Sequence, residues 1–338
     1  MPSSRRGPTR TFGDIAGLAL ALPLFGLVLG QGAQAQDTEA ADEAGPTQPS
    51  APGQFEVDED LIDRALERTL VQEGVLLIPF GQAEIEPAFQ YTRRENKFPV
   101  VSGGFVGEQN IRRNEFEAAA TVRVGLPFDS QIEVGVPYNI VDQSVSTTIG
   151  GANQSSNSET GHGLGDVSVG LAKTLLQEGA GWWPDVIARV TYDSDSGNTQ
   201  DNGVFLGGGF NEVSGSLSMV KRQDPLAFVG NVSYTKTFEN DDIEPGDELG
   251  FSIGTVLAAS PETSLSFFFN QTFADDFKVD GDKIGGSDQV SSTLSIGAAT
   301  SLGRNVLLSI RGDIGLTDEA PDYAIGVSLP IRFDLPVY

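Results

Sequence analysis

The chain has 338 residues and carries 21 Lys and Arg against 47 Asp and Glu, a formal net charge of −26. So acidic a chain would be repelled by phosphates, which excludes nucleic acid as a partner. It has no cysteine, which excludes disulfides and thiolate metal sites.

Residues 1–35 read as a signal peptide. Arg5, Arg6 and Arg10 form a basic region, Ile15 to Leu29 an apolar core, and Ala33-Gln34-Ala35 the small residues of a cleavage site. The apolar run is short for a spanning helix and is interrupted by Pro23. Cleavage after Ala35 would export the mature protein. Residues 36–56 are acidic and rich in Pro, Ala and Gly, with too little apolar surface to fold, and read as a disordered linker. Over 57–73 the period becomes helical, with Asp58 as a cap and Leu61, Ile62, Ala65, Leu66 and Leu70 on one stripe. So short a helix is marginal alone. We read it as a periplasmic helix touching the mouth of the following domain or a copy of itself, with a plug inside a lumen as the alternative.

From Glu84 the period is two. Strands are expected near 84–95, 110–126, 131–143, 164–176, 184–194, 204–220, 225–238, 248–259, 264–275, 287–302, 305–315 and 321–333. In Phe116 to Leu126, Phe116, Val122 and Val124 oppose Glu115, Glu117 and Arg123. In Val306 to Leu316, Ile310 and Ile314 oppose Ser309, Arg311 and Asp313. In the last segment, Ile325, Val327, Leu329, Ile331 and Phe333 oppose Ala324, Gly326, Ser328, Pro330 and Arg332. An antiparallel sheet with an apolar outside has to close, because lipid offers no partner to a free edge. The expected fold class is all-β: a single closed antiparallel transmembrane β-barrel of about 12 strands over 84–333, its last strand paired with its first.

Connection lengths give an independent signal. Tight turns such as Pro127-Phe128-Asp129 and Gly303-Arg304-Asn305 follow the even strands. Longer polar loops follow the odd ones, above all Ser144 to His162, then Asn240 to Asp247 and Phe277 to Gly286. This asymmetry requires an even strand number and puts both termini on the short-turn, periplasmic side of an outer membrane. Phe128, Trp182 and Trp183 on the turn side, with Tyr91, Tyr192 and Tyr234 on the loop side, suit two interfacial girdles. Pro137 and Pro330 each remove a ladder donor, which suggests local bulges.

Several motifs, in order, carry a resemblance: IRRNEFEAAATVRVGL from Ile111 to Leu126, QIEVGVPY from Gln131 to Tyr138, GLGDVSVGL from Gly163 to Leu171, and GLTDEAPDYAIGVSLPIRF from Gly315 to Phe333. Together they resemble the outer-membrane transporter family named for the meta-pathway of phenol degradation. The resemblance covers roughly Glu84 to Phe333. It implies an outer-membrane barrel linked to uptake of small, often aromatic or hydrophobic, compounds, and it offers no catalytic set. Two departures are the five residues beyond Phe333 and the acidic linker and helix ahead of the barrel.

Catalysis has little to stand on. The one histidine, His162, sits in a glycine-rich loop end, and no G-x-S-x-G elbow is present. Acidic loops such as Asp193 to Gly197 and Asp280-Gly281-Asp282 lack the spacing of a calcium loop and read as solvated. No metal, cofactor or catalytic group is expected. The candidate pore-lining residues are Arg113, Glu115, Glu117, Arg123, Glu133, Arg189, Asp193, Arg311, Asp313 and Arg332. Opposite charges there can pair and fill the lumen, or stand in rings that select what passes. The expected partners are outer-membrane lipid and lipopolysaccharide, the barrel assembly machinery and a small-molecule solute. A channel is the first functional reading, a non-conducting anchor the second and an outer-membrane hydrolase the third.

Overall fold

A computed structural model describes residues 59–336, except 103–104, 151, 180 and 208. The expected signal peptide, the linker and the Asp58 cap lie outside the described residues. Helix α1, Glu59–Gln72, precedes twelve antiparallel strands that close into one barrel. They are β1 Gln82–Ser102, β2 Phe105–Leu126, β3 Ser130–Ile149, β4 Ala152–Leu164 continued by Ser168–Leu176, β5 Asp185–Asp193 and β6 Glu212–Gln223. The rest are β7 Leu226–Thr237, β8 Glu248–Ala258, β9 Thr263–Ala274, β10 Gln289–Ser301, β11 Leu307–Gly315, and β12 Tyr323–Ser328 continued by Ile331–Asp334. Each strand pairs with its sequence neighbours. β12 returns to β1, with Arg93 opposite Tyr323 and Gln82 opposite Asp334.

The alternation read from the sequence is the alternation of the wall. Ile132, Val134 and Val136 on β3, Ile253 on β8, Ile310 on β11 and Ile325 on β12 remain 37–61% exposed on the outer face. So broad an apolar belt suits acyl chains and not water. Phe128 and Trp182, in turns at the narrow end of the connections, are 86% and 95% exposed.

Three expectations change. The segment 144–162 is no loop: β3 and β4 pair through it, from Ser144 opposite Ser158 to Ile149 opposite Ala152. Its Ser, Thr and Asn residues have no apolar parity to betray a strand, yet a two-sided polar hairpin pairs well in water. β1 and β2 extend similarly, pairing up to Ser102 opposite Phe105, although β12 leaves β1 at Arg93. The first four strands therefore stand above the closed rim as a one-sided wall. His162 accordingly lies in a strand.

The expected strand 204–220 instead begins at Glu212. Val204–Phe205 pairs with Gln200–Asp201 in a small hairpin within the 194–211 connection. The proline readings also divide. Opposite Pro137 the ladder gains a residue, since two residues separate Gly135 from Tyr138 and three separate their partners Ser168 and Leu164. At Pro330 the strand is interrupted without a bulge: Ser328 faces Ala88 and Ile331 faces Ile85, the same register on both sides.

Candidate functional site

The lumen is occupied at its turn end by α1, the inner of the two positions considered for this helix. Leu66 and Leu70 are fully buried, with Val75, against Val220, Ala227, Val229, Val256, Ala258 and Phe268 on the inner faces of β6 to β9. Burying the two leucines contributes about 1.5–3 kcal/mol each. The other side of the helix is polar and meets polar wall. Arg68 donates to Ser301 Oγ at 2.6 Å, Gln72 Nε2 to Ser328 Oγ at 3.1 Å, and Thr69 bonds Ser264. An amphipathic helix thus fits an amphipathic bore.

The helix stops at Gly74, whose φ of +72° suits glycine, with the Gly74 N–H donating to Val71 O at 3.0 Å and the Val75 N–H to Leu70 O at 3.0 Å. The chain then crosses the inner face of β2, where a side chain at Gly125 would collide with the carbonyl oxygens of Ile78 and Pro79. Ile78 N–H donates to Gln131 Oε1 at 2.8 Å, and the chain enters β1 beyond it.

Beside the helix lies a balanced charge network. Arg123 pairs with Glu84 at 3.1 Å, with Glu86, and with Glu133 at 3.8 Å. Arg189 lies 2.9 Å from Glu133, and Arg332 pairs with Glu84 at 3.1 Å. Three guanidiniums and three carboxylates neutralise one another in a buried site where an unpaired charge would be costly. Arg311 pairs with Glu73, just past the helix, and so ties the plug to the wall.

The loop end differs. Arg113 pairs with Glu115 at 3.3 Å and donates to the Phe205 carbonyl at 2.6 Å. Asp193, Glu212 and Glu248 share the inward parity here, as Glu117 does lower down on the lining of a cavity above α1, and no ion pair joins any of the four to another described residue. Glu212 accepts the Thr237 hydroxyl, at 3.1 Å. The 194–211 connection folds over this end, with Val204 and Leu206 buried against Val141. Its carboxylate anchor is Asp166, which accepts the Gly197 N–H at 2.8 Å and the Gly209 N–H at 3.1 Å. Side chains of the same connection also stand in for a missing neighbour of β4. Asn202 donates to Thr160 O at 3.2 Å, Asp201 accepts the His162 N–H at 3.0 Å, and Asn198 accepts the Leu164 N–H at 3.2 Å. His162 Nδ1 lies 3.3 Å from Asp201.

Two other loops are tied together outside the barrel. Glu244 receives Lys236 at 2.6 Å and Lys278 at 3.0 Å, and Asp275 receives Lys283 at 2.9 Å. The ammoniums of Lys236 and Lys278 hold the Glu244 carboxyl below the usual carboxylate range, and Lys283 does the same to Asp275.

Between the two ends the bore is not filled. Cavities of about 290 Å³ and 190 Å³ lie above α1, and Arg311 lines both. Of the candidate residues, Arg123, Glu133, Arg189 and Arg332 come together in the network. Arg113 and Glu115 pair higher up, and Asp313 stands opposite Ser295 on the parity of Arg311. Sequence reading missed Glu73, Glu84 and Glu86, and also the neutral inward row of Ser218, Asn231, Ser252, Asn270 and Ser295. Glu84 and Glu86 flank Ile85, so their parity was readable.

The family described as "Putative MetA-pathway of phenol degradation" matches residues 100–333. The chain belongs to that family. Among solved structures, this family member is similar to the COG4313 outer membrane channel from Pseudomonas putida F1. The identity is 16% and the TM-score 0.53, over 76% of this chain and 97% of that one. It is also similar to the translocator domain of autotransporter NalP from Neisseria meningitidis, at 12% identity and a TM-score of 0.44, over 81% and 96% of the two chains. The fold is thus one that an outer-membrane channel uses.

Proposed function

We propose that the protein is an outer-membrane channel for small molecules, restricted at its turn end by its own N-terminal helix. The observation that carries this reading is the unfilled bore: a polar inner wall with two cavities above the helix, in a barrel wider than the eight-stranded ones that side chains fill. The turns and both termini would then face the periplasm, after removal of residues 1–35. The aromatic turn residues Phe128, Trp182 and Trp183 would sit at the membrane interface, and lipopolysaccharide would surround the loop end. The family's description suggests small aromatic compounds among the solutes. Neither a catalytic step nor a cofactor enters the proposal.

Planar-bilayer recording tests it. The wild type is expected to conduct weakly, and a variant lacking residues 36–73 to conduct several times more, provided it still migrates as a heat-modifiable barrel. If both proteins fold and neither conducts, the barrel is an anchor and the channel reading fails.

A further inference from the structure

Five consecutive strands each place one uncharged polar side chain on the lining of one cavity. Ser218 of β6 stands opposite Asn231 of β7, Asn231 opposite Ser252 of β8, and Ser252 opposite Asn270 of β9. On β10 Thr293 stands opposite Asn270, and Ser295, two residues along and opposite Phe268, is the one that lines the cavity. This row walls the larger cavity, whose volume of about 290 Å³ is at the lower end of small-molecule sites.

The row has a direction. Asn231 Nδ2 donates to Ser218 Oγ at 2.8 Å, and Asn270 Nδ2 to Ser295 Oγ at 3.0 Å and Thr293 Oγ1 at 3.2 Å. These bonds commit the amide donors to the wall and fix both amide planes. No described residue bonds the Asn231 or Asn270 carbonyl oxygen, and neither oxygen is sealed from the lumen. The row therefore presents acceptors, each of which gains when a donor reaches it. Phe268, only 7% exposed, and Val229 add an apolar patch. The formal charges lining the cavity are already matched, Arg311 with Glu73 and Arg189 with Glu133.

Those features discriminate between solutes. With Arg311 and Arg189 already matched by Glu73 and Glu133, the lining has no net charge to hold an ion of either sign, while the two unclaimed amide oxygens call for a donor. We infer that the row is a binding station for a small neutral polyhydroxylated molecule in transit, an inference that rests on the channel reading and names its solute class. The hydroxyls donate to Asn231 and Asn270 while the carbon skeleton lies on Phe268.

Saturation-transfer NMR on the full-length mature protein in detergent micelles tests the station, with xylitol as probe and xylonate and 1,5-diaminopentane as charged controls. Saturable binding is expected for xylitol alone. Asn231→Leu, checked for folding by heat-modifiable migration, is expected to weaken it about tenfold, as loss of one hydrogen bond would. Asn270→Asp is expected to turn the preference toward the diamine. Xylitol binding that is absent, that xylonate matches, or that survives in folded Asn231→Leu would overturn the proposal. Bilayer recording separates the two levels. Conductance without xylitol binding sinks the station and spares the channel, whereas binding without conductance sinks the channel and the transit role with it.

Discussion

The turn end and the loop end of the lumen are made by the same strands and hold their charges in opposite ways. At the turn end Arg123, Arg189 and Arg332 balance Glu84, Glu86 and Glu133, and α1 fills the space beside them. At the loop end Asp193, Glu212 and Glu248 face the bore, and no ion pair joins them to another described residue. A period of two decides only which way a residue points. Whether an inward charge becomes packing or a selectivity element depends on what else occupies its height.

Removing one charge from each end gives the largest contrast. Arg123→Ala leaves Glu86 unpaired and two guanidiniums against three carboxylates, and is expected to cost about 3–5 kcal/mol, seen as a lower urea midpoint for the heat-modifiable barrel. Arg113→Ala, at the loop end, is expected to cost about 1 kcal/mol or less. Equal losses would erase the distinction between the ends.

Next comes the wall itself. Ile310 faces outward and Arg311 inward on β11. Ile310→Arg is expected to cost about 2–4 kcal/mol of barrel stability at mid-membrane. Arg311→Ala is expected to leave the barrel folded and raise conductance, because it frees Glu73, and α1 with it, from the wall. The reverse pattern would mean a register shifted by one residue.

A smaller effect concerns ions. Glu212→Gln is expected to lower the cation-to-anion permeability ratio about twofold, measured from reversal potentials in a salt gradient. Glu84→Gln is expected to leave the ratio unchanged, since Arg123 and Arg332 already neutralise that carboxylate. A similar shift in both variants would argue that the paired network also faces permeating ions.

The smallest effect lies in the loops. Glu244 and Asp275 have depressed folded-state values, so their ion pairs contribute fully above the ordinary carboxylate range and are lost as the pH falls through the lowered ones. Acidification from about pH 6 to about pH 3 is expected to lower hydrogen-exchange protection, relative to the intrinsic rate at each pH, in 238–247 and 275–283 while barrel amides stay protected. Uniform exchange would remove the knot as a separate unit.

The barrel was legible because lipid demands a regular pattern: outward positions such as Ile85, Val122, Ile253, Ile310 and Phe333 are apolar, and closure followed. The plug was less so. Its signal lay in β7, where the inward parity runs Ala227, Val229, then Asn231, Ser233, Thr235. A strand apolar on both faces near one end needs a cover there, and Leu66 and Leu70 supply it. The 194–211 connection left no such trace. Val204 and Leu206 resembled the start of a strand, and only Val141, far away in sequence, accounts for their burial. Pairings among Arg123, Glu84 and Glu133 were likewise hidden, because they depend on the register between strands and not on any one strand.

The raised wall of β1 to β4 bears on aggregation. Beyond Arg93 the outer side of β1 pairs with no described strand, and before Ser168 neither does β4, an edge that could recruit a foreign strand wherever its backbone groups are left open. Inside a bilayer such an edge would be intolerable, and the closed rim keeps it out. Above the rim the exposed edge carries its own deterrents: Lys97 with an ammonium and Pro99 with no donor on β1, and the side chains of Asn198, Asp201 and Asn202 on β4. The chain can therefore build tall into water on one side without inviting its copies to add on, sheet to sheet, at a crowded surface.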